Sequence, residues 1–158
     1  MDKFNWIIKV ATINDCEKWF SFVKNVTHDF YDIDLANDKD YRNVIIKNIK
    51  RKTAVYVEKN EKIIGGMIFS PNQNHIGWLA VDPKFRRRGI GTALVHYMLM
   101  ELPDRKQFKV KTFMEGEWQS ESSHPFYISL GFKPKEVNYD DMENNANHPT
   151  LLFVKENN

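Results

Sequence analysis

Between Val81 and Thr92 the chain reads Val-Asp-Pro-Lys-Phe-Arg-Arg-Arg-Gly-Ile-Gly-Thr, an apolar run that breaks at Asp82-Pro83, turns through a cluster of cations and re-enters regular structure at Gly89. The run before it, His75-Ile-Gly-Trp-Leu-Ala-Val81, has the length and composition of a central strand. After it, Ile90, Ala93, Leu94, Tyr97, Met98 and Leu102 recur at helical spacing and stop before Pro103. The segment thus runs from a strand end through a basic turn into a helix with two early glycines. The join also has a chemical consequence. The first amides of a helix lack intrahelical acceptors and lie at its positive end, and Gly89 and Gly91 remove side chains that would hold an anion away. Lys84, Arg86, Arg87 and Arg88 add mobile charge and forked donors that suit a diphosphate.

Two nucleotide motifs fail on spacing. A Walker loop needs Gly-Lys-Ser/Thr after a longer spacer, and a dinucleotide fingerprint needs a third glycine where Leu94 stands. The plain alternative is a solvated basic turn, but a Gly-x-Gly at the helix start favours phosphate binding.

The remaining pattern places this segment in a larger frame. Trp6 to Ala11 reads as a strand, and Thr12 caps a helix whose apolar stripe is Cys16, Trp19, Phe20, Val23 and Val26. A turn-rich stretch from His28 to Asp38 precedes a second helix between Lys39 and Lys50, striped by Tyr41, Val44, Ile45 and Ile49. Thr53 to Glu58 and Ile63 to Phe69 form an antiparallel hairpin, with Asn60 suited to a left-handed turn. Gln107 to Phe113 is a strand, and His124 to Leu130 a short helix with Ser123 as cap, Pro125 in its first turn and Gly131 as stop. Phe132 to Val137 and Thr150 to Lys155 are the last strands. The fold class is therefore α/β (α+β), with a mixed, mostly antiparallel sheet of six to seven strands flanked by about four helices.

Composition sets the outer limits. The 158 residues, with no repeat or linker dividing them, are read as one domain spanning 1–158. With 23 Lys plus Arg against 21 Asp plus Glu the net charge is +2, too little for a nucleic-acid coat, so a polyanion site is local and no nucleic-acid partner is expected. Cys16 is the only cysteine, which excludes an intramolecular disulfide and Cys-rich zinc sites. No apolar stretch resembles a signal peptide or approaches the roughly 18 residues of a membrane span. A cytoplasmic location, with no membrane partner, is the expectation.

Arg86, Gly89 and Gly91 also occupy every fixed position of the Arg/Gln-x-x-Gly-x-Gly/Ala signature of the GNAT N-acetyltransferases, which the chain resembles. The resemblance extends to Trp78-Leu-Ala-Val-Asp-Pro83, similar to that family's fourth strand, to Phe126-Tyr127-Ile-Ser-Leu-Gly131-Phe132, similar to its late Phe-Tyr-x-x-x-Gly-Phe motif, and to the β-α-α-β-β-β-α-β-α-β-β order. It implies an enzyme that moves an acetyl group from acetyl-CoA to a primary amine by direct attack in a ternary complex. The implied cofactor site is the strand end Leu79, Ala80 and Val81, with the pantetheine arm alongside, and the turn Arg86, Arg87, Arg88, Gly89, Ile90, Gly91 and Thr92, with the diphosphate on its amides. An amide near Ala80 or Val81 would polarise the thioester carbonyl, and Gly77 suits a bend in the strand.

The same resemblance gives Tyr127 the role of general acid at the sulfur and His75, six residues before Val81, that of general base. Glu115 is a second candidate base or an anchor for the acceptor's cation, and water is a third. The segment Thr112 to Gln119 departs from the family pattern, being longer and lacking asparagine; Trp118 within it either walls an acceptor pocket or stacks on the surface. The acceptor, a small-molecule or peptide amine, would enter between two acidic segments. One holds Asp29, Asp32, Asp34, Asp38 and Asp40, of which Asp32 and Asp34 are the substrate-binding candidates; the other holds Asp140, Asp141 and Glu143. Ordinary solvation is the plain alternative for both. Cys16, Met98 and Met100 read as core, His124 as helix-terminal, and no residues fall at metal-ligand spacing. A monomer or homodimer is expected. A CoA-binding sensor without catalysis is the alternative function.

Overall fold

The computed structural model of the protein describes residues 5–139 and 149–157; the acidic residues Asp140, Asp141 and Glu143 lie outside them. The elements in chain order are β1 (Lys9–Val10), α1 (Cys16–Asn25), α2 (Lys39–Arg51), β2 (Ala54–Lys59), β3 (Lys62–Ser70), β4 (His75–Val81), α3 (Ile90–Glu101), β5 (Gln107–Phe113), α4 (Ser120–Ser129), β6 (Lys133–Asn138) and β7 (Thr150–Glu156). The sheet order is β1-β2-β3-β4-β5-β7-β6. Among the pairs whose registers are described, β1 with β2, β2 with β3, β5 with β7 and β6 with β7 are antiparallel, and β4 with β5 is parallel. This is the expected mixed α/β fold, with seven strands and four α-helices among the described residues. The chain divides into two compact units, Met1–Phe69 with Trp78–Pro103 and Ser70–Gly77 with Asp104–Asn158.

In the first unit the β2–β3 hairpin turns through Asn60 and Glu61, both left-handed at φ 53° and 63°, as a tight two-residue connection requires. Gly65 and Gly66 follow on β3, where close approach explains both. A Cβ on Gly65 would lie 2.5 Å from Cγ2 of Ile90, and one on Gly66 2.9 Å from Cη2 of Trp19. The two glycines therefore let α3 and α1 settle directly onto the strand. Trp19, Phe20, Phe22, Val23, Ile45 and Ile49 are buried with β2 and β3 residues in one core cluster. Asp15 accepts from the Thr12 amide at 2.8 Å and closes the turn of 3-10 helix that leads into α1.

The second unit pairs β5 with β7 from Gln107↔Glu156 to Phe113↔Thr150, and β7 with β6. β5 also takes the first residues of β4 in parallel register, His75↔Lys109 and Ile76↔Val110. Pro134 sits on β6, the last strand of the sheet, where the missing N–H costs no ladder bond to a further neighbour.

Four expectations are corrected. The first strand covers Lys9–Val10, which pair with Tyr56 and Val55 of β2, rather than Trp6 to Ala11, and Ile7 before it is 76% exposed. Val44 faces solvent at 47% and leaves Ile45 and Ile49 as the buried residues of α2. Met98 is core but Met100 is 79% exposed, since α3 is apolar nearly all round and its spacing does not single out one face. α4 starts at Ser120, so Ser123 is not its cap and Pro125 lies inside the helix, where its missing N–H leaves the Glu121 carbonyl without its usual donor. Gly131, left-handed at φ 94°, is the stop expected after that helix.

Candidate functional site

The turn from β4 into α3 is built almost entirely from main chain. Asp82, nearly buried, organises its first half: its amide donates to the Ile64 carbonyl at 2.8 Å, its carboxylate accepts from the Lys84 amide at 2.9 Å and its carbonyl from the Phe85 amide at 2.8 Å. Pro83 then opens a single turn of 3-10 helix, Pro83–Phe85. Arg87 follows in the left-handed region at φ 62°, a conformation costing a non-glycine residue about 1–3 kcal/mol. Gly89 is left-handed at φ 83° and serves as the N-cap of α3. The first helical bond runs from the Ala93 amide to the Gly89 carbonyl at 3.0 Å, so the amides of Gly89, Ile90, Gly91 and Thr92 stand outside the intrahelical ladder. Arg87 and Arg88, both exposed, stand beside them, so the turn carries main-chain donors and positive charge of the kind that suits an anion.

Arg86 has a different job from its neighbours. Its Nε donates to the Val81 carbonyl at 3.3 Å and its Nη2 to the Asp29 carboxylate, so its side chain clamps the turn to the strand end and to the segment after α1. Asp29 is held in a low-dielectric setting; burial pushes its carboxyl pKa up and the Arg86 guanidinium offsets part of that rise. The next residue, Phe30, stacks on Trp78 of β4 with centroids 5.2 Å apart and planes at 19°, and Trp19, Phe22 and Tyr41 complete the aromatic cluster around that indole. Burial raises the Tyr41 pKa, while its hydroxyl accepts from the Trp19 indole at 3.2 Å. Arg88 lies over the Phe85 ring, 5.3 Å from its centroid, and its carbonyl accepts from the Trp6 indole at 2.7 Å.

The acidic segment resolves into separate roles. Asp29 pairs with Arg86, and Asp38 caps α2 by accepting from the Tyr41 amide at 2.9 Å. Asp32 is exposed and left-handed at φ 58°, 3.2 Å from His28 Nδ1, and the exposed Asp34 accepts from Asn37 at 2.8 Å. Leu79 and Val81 are half-buried and Ala80 is buried on β4.

Tyr127, His75 and Glu115 belong to the second unit. Tyr127 is buried on α4, edge-on to Phe126 and Phe132 at 4.9 and 5.6 Å and tilted against Phe153 at 6.2 Å. Burial raises its pKa, so the phenol keeps its proton across the neutral range. His75 is half-buried at the start of β4. Glu115 is exposed in the turn after β5, next to Gly116 at φ 96°, and Trp118 is 47% exposed. His124 lies within α4 rather than at its end, where its Nε2 is 2.6 Å from the Phe113 carbonyl and its ring packs on Phe153. Cys16 is half-buried beside the core, its thiol pKa raised by burial and by Glu17 and Asp15, which disfavours the thiolate. Among the described residues no group of three or more His, Cys, Asp or Glu could hold a metal, and no helix is long and apolar enough to cross a membrane.

Sequence reasoning missed Asp29, Trp6 and Gly65 as supports of the turn. Only Gly65 left a local trace, a glycine pair inside a strand pattern.

The Acetyltransferase (GNAT) domain family matches residues 51–134, more than half of the chain, and the chain belongs to that family. Among solved structures the chain is similar to a GNAT-family acetyltransferase from Bacillus cereus, at 21% identity and a TM-score of 0.73, over 96% of this chain and 97% of that one. It is similar to the ribosomal-protein-S18-alanine N-acetyltransferase from Escherichia coli, at 15% identity and a TM-score of 0.70, over 96% and 93%. A third likeness is to PaiA N-acetyltransferase from Thermoplasma acidophilum in complex with coenzyme A, at 14% identity and a TM-score of 0.67, over 95% and 98%. No curated protein matches the sequence. Fold and family are together consistent with acetyl-CoA-dependent acetylation.

Proposed function

We propose that the chain is an acetyl-CoA-dependent N-acetyltransferase acting on a primary amine, with the whole chain as one catalytic domain. The observation that carries this reading is the row of amides from Gly89 to Thr92, outside the helical ladder and flanked by Arg87 and Arg88. Those residues fit a diphosphate: they supply converging main-chain donors and positive charge, and the glycines keep Cβ atoms out of the approach. Leu79, Ala80 and Val81 offer strand amides and carbonyls to an extended amide-bearing arm. Bound there, acetyl-CoA supplies an acetyl group activated as a thioester.

The chain's own groups supply the rest. An amide at Ala80 or Val81 donates to the carbonyl oxygen that gains charge during attack. Tyr127, kept protonated by burial, is the proton donor for the departing sulfur. His75, Glu115 or a water takes the proton from the acceptor's ammonium. Asp32 and Asp34, exposed and acidic, draw in a cationic amine.

The test is a panel of small-molecule and peptide amines screened for thiol release dependent on acetyl-CoA. Release with one amine class supports the reading. Coenzyme A binding without release from any amine would move the protein to the sensor function, and no binding would remove the cradle. With an accepted amine in hand, His75→Ala should shift the rising limb of the pH–rate profile if this imidazole is the base; an unmoved limb assigns the proton to Glu115 or water.

A further inference from the structure

We infer that Trp6, remote from the turn in sequence, is a positioning residue for the cradle: its indole N–H fixes the plane of the Arg88–Gly89 peptide and so aims the Gly89 amide at the diphosphate. The inference rests on the reading above. The Trp6 Nε1 hydrogen donates to the Arg88 carbonyl at 2.7 Å, across 82 residues of sequence. In a trans peptide the C=O and N–H of one unit point in opposite directions. Holding the Arg88 carbonyl toward Trp6 therefore turns the N–H of the same unit, which is that of Gly89, the other way.

This particular unit needs an external hold. It joins Arg88 to Gly89, which is left-handed at φ 83°, and comes directly after Arg87, left-handed at φ 62°. Glycine offers the least resistance of any residue to rotation of its flanking peptides. The Arg88 side chain lies over the Phe85 ring, which restrains the side chain without fixing the peptide plane. Asp82 and Arg86 brace the turn at its strand end through Val81, Lys84 and Phe85, and the helical ladder takes over at Ala93. Trp6 meets the stretch between those supports. Its side chain is half-buried, and its place just before β1 brings the ring nitrogen to the Arg88 carbonyl. Preorganised amides bind an anion more tightly than amides that must first rotate into place.

The experiment is calorimetric titration of coenzyme A into the full chain carrying Trp6→Phe, and into one with 3-benzothienylalanine at residue 6. That second variant keeps the bicyclic shape, replaces N–H by sulfur, and guards against misfolding of the smaller substitution. Each should weaken coenzyme A by about three- to tenfold, the range for loss of one net hydrogen bond. Binding of pantetheine, which lacks the diphosphate, should stay as in the wild type when titrated by NMR. Unchanged coenzyme A affinity in the benzothienyl variant overturns the inference, as does an equal loss for pantetheine. Wild-type protein that fails to bind coenzyme A would overturn the reading itself, a failure visible before any variant is compared.

Discussion

The turn into α3 and the surroundings of Tyr127 solve opposite problems. The turn offers main-chain donors beside exposed cations, and its side chains mostly brace the backbone: Asp82 ties two amides, Arg86 clamps Val81, and Trp6 holds a carbonyl. Tyr127 presents one phenol from a nest of Phe126, Phe132 and Phe153, and its pKa is raised because that nest excludes water. In the proposed function, binding is thus distributed over a backbone, whereas proton transfer is concentrated in one atom. A distributed site degrades by degrees, but a single-atom site fails at one substitution.

Tyr127→Phe tests that contrast most severely. It keeps the ring among its neighbours and removes the proton, so turnover should fall by about a hundredfold or more, the usual scale for a general acid. Coenzyme A affinity measured by calorimetry should stay close to wild type. Full turnover in the variant would mean that the sulfur is protonated by another group or by water.

Arg86→Ala combined with Gly89→Ala should act in the opposite sense. The first removes the clamp on Val81 and Asp29, and the second puts a Cβ on a residue held at φ 83°. Together they should cost coenzyme A affinity on the order of a hundredfold, from strain and misdirected amides. Turnover at saturating donor should fall far less than in Tyr127→Phe. A double variant with unchanged affinity would take the diphosphate off this turn.

The same division explains what the sequence discloses. The β2–β3 hairpin is readable because Asn60 tolerates the left-handed turn, β4 because its apolar run ends at Asp82-Pro83, and β5 because its apolar residues alternate with polar ones. The start of α3 is readable because its N-cap is left-handed and glycine, here Gly89, suits that conformation. Its supports are hidden for a physical reason. Trp6 and Arg88 are 82 residues apart and Asp29 and Arg86 are 57 apart, and nothing local to either partner specifies the other. Asp29 looks like one more charge in an acidic run until the fold sets it against a guanidinium. The start of α4 is obscured by Ser120, Ser122, Ser123 and Pro125, which locally favour a turn; the buried Gln119 and Ser120 carry the helix back through them.

The Asp29–Arg86 pair sharpens the contrast in its smallest term, because stability and geometry separate there. Burial is the largest influence on Asp29 and exceeds the relief from Arg86, leaving its pKa above the ordinary 3.8. A carboxyl whose pKa is raised on folding contributes stability that is complete below the unfolded value and is lost as pH rises through the folded one. In wild type, therefore, stability relative to Asp29→Asn should decline as pH climbs from about 4 through the raised value, then stay level. Melting temperatures across that range measure the decline, and a wild type that instead gains on the variant would show that the ion pair outweighs burial. Coenzyme A affinity near neutrality should nevertheless fall a few-fold in Asp29→Asn, since Arg86 then clamps the turn at Val81 alone. A half-buried pair that holds a shape while returning little stability is what incomplete repayment of desolvation produces, and a variant neutral in both measurements would leave the pair with no part in shaping the turn.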